Sequence, residues 1–129
     1  MELYHGSSKK LDVLKRHKPC APPGTPEGEN LDVIYFTPEK YFAILAGAAV
    51  EGVNTIDHGE KTVCFQNPEK FNPDKIAYVY VVDSSRIPEG KKIVVDPWQI
   101  AVDVDEIMPD KVETHKAGEI LNYYRILDR

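Results

Sequence analysis

The chain has little cysteine, no long apolar run and no signal-peptide pattern, and each shortage excludes a class of protein. Its 129 residues include two cysteines, Cys20 and Cys64, with no CxxC motif and no histidine at ligand spacing, so a structural zinc site is not expected. The longest apolar run, Tyr41 to Val50, has ten residues, whereas a membrane helix needs about 20. We therefore expect a soluble, cytoplasmic protein whose thiols are reduced.

Charge and motif content narrow the possible functions further. Sixteen Lys and Arg residues against 21 Asp and Glu residues give a net charge of -5, which argues against a general binder of the nucleic-acid backbone. The chain contains no Walker loop, no GxSxG elbow and no histidine pair at the spacing of a helical zinc site, so three common enzyme classes lack support. Its length and 42% hydrophobic content suit a single domain over residues 1–129.

Two segments stand apart in composition. The ten residues from Pro19 to Gly28 include four prolines and two glycines, so we expect a loop there, either functional or a floppy insertion. A local basic cluster precedes it and could attract the phosphates of a nucleotide or a nucleic acid, although such runs are more often solvated surface. The cluster comprises Lys9, Lys10, Lys15, Arg16, His17 and Lys18.

Hydrophobic patterning predicts one main helix among several short strands. Thr37-Pro38-Glu39 has the features of a helix start, and the helix is expected to run to about Glu51 and stop at Gly52. The predicted strands are Leu3–His5, Leu31–Phe36, Thr62–Phe65, Ile76–Asp83, Lys92–Val95 and Gln99–Val104. A short helical turn is expected at 109–111, and residues 119–127 fit either a strand or a helix. This pattern favours an α+β fold with a mainly antiparallel sheet.

His5 and Tyr35 occupy positions where ligands commonly bind. His5 ends a strand and precedes Gly6, whose lack of a side chain allows a backbone to approach a ligand closely; a lone histidine is nevertheless more often structural. Tyr35 ends a strand just before the capped helix, where flat polar ligands commonly lie. Its neighbours Ile34 and Phe36 are apolar, so Tyr35 could equally belong to the core.

In combination, these segments resemble the ADP-ribosyltransferase fold, in the His-Tyr-Glu branch that includes poly(ADP-ribose) polymerases, diphtheria-type toxins and small bacterial relatives. Leu3-Tyr4-His5-Gly6-Ser7 resembles the opening strand of that family. Val33-Ile34-Tyr35-Phe36-Thr37 resembles its second motif, and Tyr35 follows His5 by 30 residues. The resemblance implies an α+β fold with a split β-sheet and one principal helix. It also implies that NAD is the substrate, cleaved at its nicotinamide–ribose bond so that ADP-ribose passes to an acceptor.

The resemblance further implies roles for individual residues. His5 would hydrogen-bond a ribose hydroxyl of NAD, the Gly6 backbone would hold the nicotinamide carboxamide, and Tyr35 would pack on the nicotinamide ring. Ala46 lies near the place where some members have a second ring-stacking tyrosine, which Tyr41 or Phe42 could replace. The residues expected to bind the cofactor are His5, Gly6, Ser7, Tyr35, Thr37 and Tyr41.

The third motif of the family, a glutamate at the start of a strand, has no direct match. Aligning Trp98 to Val102 with it puts Gln99 in the glutamate position, on the opposite face of the strand from Ile100 and Val102. Glutamine keeps the hydrogen bonds but has no charge, and the loss of one such stabiliser commonly costs about 10²–10³ in rate. Glu106 takes the catalytic place if the register differs.

Whether the chain is an enzyme is therefore open at the sequence level. The first hypothesis is an NAD-dependent ADP-ribosyltransferase or NAD glycohydrolase. The alternative is a member that has lost catalysis and acts as a module binding a nucleotide or a protein partner. A third hypothesis is a nucleic-acid-processing relative that uses the basic cluster. The related RNA 2′-phosphotransferase branch relies on several basic core residues that we cannot place in this sequence, so a nucleic-acid partner, like a metal or a membrane, is not expected.

Overall fold

The computed structural model describes residues 1–16, 32–48, 54–65 and 68–127. The predicted loop at 19–28, two members of the basic cluster (His17 and Lys18) and the predicted helix end at 51–52 lie outside these residues. The first strands are β1 (Glu2–Ser7), β2 (Leu14–Lys15), β3 (Ile34–Phe36), β4 (Asn54–Asp57), β5 (Thr62–Phe65) and β6 (Ile76–Asp83). Then follow β7 (Lys92–Asp96), β8 (Gln99–Val102), β9 (Glu106–Ile107), β10 (Lys111–Lys116) and β11 (Arg125–Ile126).

One α-helix, α1 (Lys40–Ala48), lies between β3 and β4, and short 3₁₀ turns occur at Pro68–Lys70, Ser84–Arg86, Glu89–Lys91 and Ala117–Asn122. The strands pair in the orders β1-β6-β10, β3-β8-β7, β11-β5-β4 and β2-β9. Every pair is antiparallel except β5 with β11. The described part of the chain is thus mixed α+β with mostly antiparallel sheets and one main helix, as the sequence predicts.

β6 is the centre of the molecule because both of its faces are covered. Ala77 and Val79 pack with α1 and β5 in one hydrophobic cluster, which also includes Ile44, Val63 and Ile120. Tyr80 and Val82 point the other way, into a second cluster. That second cluster holds Leu3, Leu14, Ile34, Phe36, Ile87 and Val102. The period-two pattern of this strand follows from the alternation of side chains across a sheet.

Several predicted boundaries change in the structure. β1 runs on through Gly6 and Ser7, because both residues stay paired with β6, opposite Val79 and Tyr78. The helical turn predicted at 109–111 is wrong, since Lys111 begins β10 and lies opposite Val81. The ambiguous segment after Glu119 contains both structures, a 3₁₀ turn and then the two residues of β11.

The start of α1 also differs slightly from the prediction. Thr37 Oγ1 accepts a hydrogen bond of 3.0 Å from the Glu39 amide, while the helix itself begins at Lys40. The Thr37 backbone exchanges two hydrogen bonds of 2.8 Å with Tyr4. This bridge holds Thr37 in extended backbone beside β1 and delays the helix. With only nine residues, α1 is too short to cross a bilayer, and no helix in the described ranges could do so.

Candidate functional site

A cleft of about 150 Å³ lies where β1, β3, β8 and α1 meet. It brings together five of the eight predicted site residues, which come from positions between 5 and 99. Protein cavities of about 150 Å³ can hold one benzene ring, so the space suits one flat aromatic ring. The lining residues are Tyr4, His5, Gly6, Tyr35, Phe36, Thr37, Phe42, Ala43, Ala46 and Gln99.

Gly6 forms one wall of the cleft. Tyr4 turns its N–H and C=O to Thr37, and backbone groups on a strand face the same edge at every second residue. The N–H and C=O of Gly6 therefore face this edge too, beyond the point where Thr37 stops pairing. A Cβ on Gly6 would lie only 1.8 Å from the Ala43 carbonyl oxygen, so glycine is also what allows α1 to pack so closely on β1.

His5 is fixed by its contact with the second motif. Its Nδ1 lies 2.7 Å from the carbonyl oxygen of Tyr35. A carbonyl only accepts hydrogen bonds, so Nδ1 carries the proton, and Nε2 is an acceptor whenever the ring is neutral. The ring also lies edge-on to Phe36, with a centroid distance of 5.9 Å. His5 could therefore accept a hydrogen bond from a ligand hydroxyl through Nε2.

Tyr35 and Gln99 lie on the cleft side of their sheet. Tyr35 is half-buried, whereas its neighbours Ile34 and Phe36 are fully buried in the second cluster. Tyr35 pairs with Ala101, so Gln99, two residues earlier in β8, is on the same face. Ile100 packs on the core instead. Gln99 thus has the orientation that the alternation of its strand predicts, whereas the strand pattern leaves open whether Tyr35 belongs to the core.

An aromatic row lies beside the cleft and was missed by sequence reasoning. His58 stacks on Trp98 with a centroid distance of 4.2 Å and an interplanar angle of 6°. Phe42, which lines the cleft, contacts the His58 ring edge-on, with ring centroids 5.0 Å apart. Burial lowers the pKa of His58, although Asp96 and Glu39 act to raise it. The row therefore has a neutral imidazole at its centre near pH 7.

Asp96 also was not predicted, because its importance depends on the hairpin between β7 and β8. Asp96 and Gln99 flank the two-residue turn of this hairpin and are cross-strand partners. Asp96 Oδ1 accepts a hydrogen bond of 2.8 Å from the Trp98 amide. Oδ2 accepts one of 3.0 Å from Gln99 Nε2. The only signal in the sequence is an aspartate at a predicted turn, where its side chain can accept a hydrogen bond from the backbone amide two residues further on.

Three predicted site residues lie outside the lining of the cleft. Ser7 Oγ accepts a hydrogen bond of 3.1 Å from the Lys9 amide. Tyr41 stacks on Tyr123, with centroids 4.9 Å apart, and leaves Phe42 as the aromatic residue that α1 contributes to the cleft. Glu106 is exposed on β9, opposite Lys15. Of the two candidates for the third motif, the structure brings Gln99 to the cleft.

A second polar cluster joins α1 to β10. Glu113 Oε1 lies 3.0 Å from Lys40 Nζ and 2.8 Å from His115 Nε2. Burial acts to raise the pKa of Glu113, but hydrogen bonds from His115 and Lys40 outweigh it and lower the value to about 2. Within the described ranges, no group of His, Cys, Asp and Glu residues is arranged to hold a metal ion, so this cluster is an ion-pair network.

Comparison of the chain with protein-family models, with curated proteins and with solved structures finds no match.

Proposed function

We propose that this protein binds NAD with the nicotinamide ring in the cleft and acts as an ADP-ribosyltransferase or NAD glycohydrolase with an ADP-ribosyltransferase-like fold. One observation carries the proposal: His5, Gly6, Tyr35 and Gln99, which the family resemblance picks out from three distant segments of the chain, all line one cleft the size of an aromatic ring.

Each of these residues offers a contact suited to NAD. The Gly6 N–H and C=O can pair with the carboxamide, which has one acceptor oxygen and an NH₂ donor. Tyr35 gives an aromatic surface for the ring. His5 Nε2 can accept from a ribose hydroxyl, and so can the carbonyl end of the Gln99 amide. In this arrangement Phe42 takes the place expected for Tyr41.

The reaction breaks the bond between ribose C1′ and the nicotinamide nitrogen. The electron pair of that bond leaves with neutral nicotinamide, and positive charge develops on the ribose. An acceptor nucleophile then bonds to C1′ and loses its proton to solvent; with water as the acceptor, the product is free ADP-ribose. Oriented dipoles and charge near C1′ are what an enzyme uses to lower such a barrier.

The second candidate is a module that binds NAD or a related nucleotide without cleaving it. Gln99 favours this function, because an uncharged amide stands where the family has a carboxylate. A cytoplasmic location fits either function, since Cys64 is a free thiol and reduced thiols are usual in that compartment.

Incubation with NAD tests the proposal. At 100 times Kd, NAD should stabilise the protein by about 2.7 kcal/mol, seen as a higher Tm. Tyr35→Ala should abolish the shift, while Glu106→Gln, outside the cleft, should keep it. Nicotinamide release measured in parallel separates the enzyme from the binding module. No Tm shift with millimolar NAD would reject both.

A further inference from the structure

Asp96 makes a contact that only a carboxylate can make. Its Oδ1 accepts from the Trp98 amide at 2.8 Å, which closes the turn between β7 and β8. An asparagine could make that bond equally well. The second bond is different, because Oδ2 accepts from Gln99 Nε2 at 3.0 Å. An asparagine whose oxygen accepts from the Trp98 amide would have an N–H donor, and not an acceptor, facing Gln99 Nε2.

This contact decides which end of the Gln99 amide faces Asp96. A carboxylate is an acceptor only, so the nitrogen of the amide must turn toward it. The amide oxygen is then on the side away from Asp96. Gln99 lines the cleft and Asp96 does not.

The backbone places Asp96 for this contact. The register of β7 against β8 shifts between Val94 and Asp96, which leaves Val95 as an extra residue. Such bulges commonly re-aim a side chain near a functional site. As a result Asp96 lies directly across from Gln99, and the two side chains meet.

We propose that Asp96 is a positioning residue that holds the Gln99 amide with its oxygen toward the cleft, and that its carboxylate supplies through Gln99 the negative charge that the glutamine lacks. The inference rests on the proposed function. Hydrogen bonds in series polarise one another, so the amide oxygen is a stronger acceptor for a ribose hydroxyl. The aspartate and the glutamine together replace a single glutamate.

Asp96→Asn is the direct test because it keeps the turn and reverses the second contact. The amide group of the introduced asparagine should turn the Gln99 amide over, so that Gln99 presents its N–H to the ribose. We expect the Kd for NAD to rise about tenfold, the effect of one hydrogen bond. If the wild type releases nicotinamide, kcat should fall on the order of 10²-fold.

The double variant Asp96→Asn/Gln99→Glu exchanges the two side-chain types and keeps the net charge. The introduced asparagine now donates to a carboxylate at position 99, whose other oxygen faces the cleft, so NAD binding should return to near the wild-type Kd and kcat should recover. Gln99→Glu alone places two carboxylates against each other and should bind NAD more weakly than the double variant. A purely structural role for Asp96 predicts no such rescue.

Asp83→Asn is the matched control. Asp83 Oδ1 accepts from the Ser85 amide at 2.9 Å in a turn of the same kind, and Asp83 lies opposite Glu2 and outside the lining of the cleft. Its Kd for NAD should equal that of the wild type.

The outcomes separate this inference from the proposed function. If the wild type does not bind NAD, the proposed function fails and the inference falls with it. If the wild type binds NAD and Asp96→Asn binds equally well, the inference alone is overturned. Should Asp96→Asn fail to fold, the comparison of Gln99→Glu with the double variant decides, and equal Kd values there would reject the role of Asp96.

Discussion

Gly6 is the residue at which α1 and β1 approach each other most closely. Replacing it with alanine would put the new Cβ 1.8 Å from the Ala43 carbonyl oxygen and 3.0 Å from the Gly47 amide nitrogen. Both are backbone atoms, so the helix as a whole must move. We expect Gly6→Ala to destabilise the fold by about 1–3 kcal/mol or more, as overpacking does, and to lower the midpoint of urea unfolding.

Gly90→Ala is the matched control for this substitution. No heavy atom beyond Gly90 itself and its two chain neighbours lies within 4 Å of a Cβ built at Gly90, which is exposed in a 3₁₀ turn. Its unfolding midpoint should stay within about 0.5 kcal/mol of the wild type, as for ordinary surface positions. Equal midpoints for the two variants would show that α1 does not pack on β1 as closely as described.

At the scale of elements, β10 is held to its neighbours by charge. Lys40 of α1 pairs with Glu113, and His115 lies between Glu113 and Glu119 with its two ring nitrogens 2.8 and 3.0 Å from their oxygens. Burial acts to lower the pKa of His115, but the hydrogen bonds that its ring donates to Glu119 and Glu113 outweigh it and raise the pKa above its usual 6.5. The protonated ring donates to both carboxylates.

The raised pKa of His115 sets the direction of a pH dependence. The stabilisation that protonated His115 provides is fully present below pH 6.5, the pKa of the ring in the unfolded chain. It is lost as the pH rises through the higher pKa of the folded protein. Urea unfolding of the wild type should therefore show this part of the stability being lost as the pH rises above 6.5, and His115→Gln should remove this change. An NMR titration in which His115 loses its proton before His58, whose pKa is lowered by burial, would contradict the assignment.

Elements that depend on local chemistry could be predicted from the sequence, and those that depend on distant partners could not. β6 was predicted with its bounds because its alternation is a property of the strand alone. The turn expected at 109–111 failed because Lys111 pairs with Val81, 30 positions away. The clustering of His5, Tyr35 and Gln99 followed only from the family resemblance. Asp96 needed the register of a hairpin, which composition does not reveal.

At the scale of the whole molecule, Tyr80 connects the central sheet to the segment that carries the basic residues. Its ring is fully buried, and its hydroxyl donates to the Lys9 carbonyl at 3.0 Å and accepts from the Leu11 amide. This segment leads into β2, which pairs with β9. The ring of Tyr80 also contacts His5, with centroids 6.4 Å apart, so one side chain links the edge of the cleft to the small outer sheet.

Tyr80→Phe separates these two roles, because it keeps the ring and removes the hydroxyl. The Lys9 carbonyl and the Leu11 amide lose their partner, which costs about 1–3 kcal/mol where the groups stay buried. Hydrogen exchange of the Leu11 amide should become faster, while NAD should still raise the Tm because the contact with His5 remains. Tyr78→Phe, on the same face of β6 and half-buried, is the control for loss of a hydroxyl and should leave Leu11 exchange unchanged. If Leu11 exchanges equally slowly in wild type and Tyr80→Phe, another contact holds this segment to the sheet.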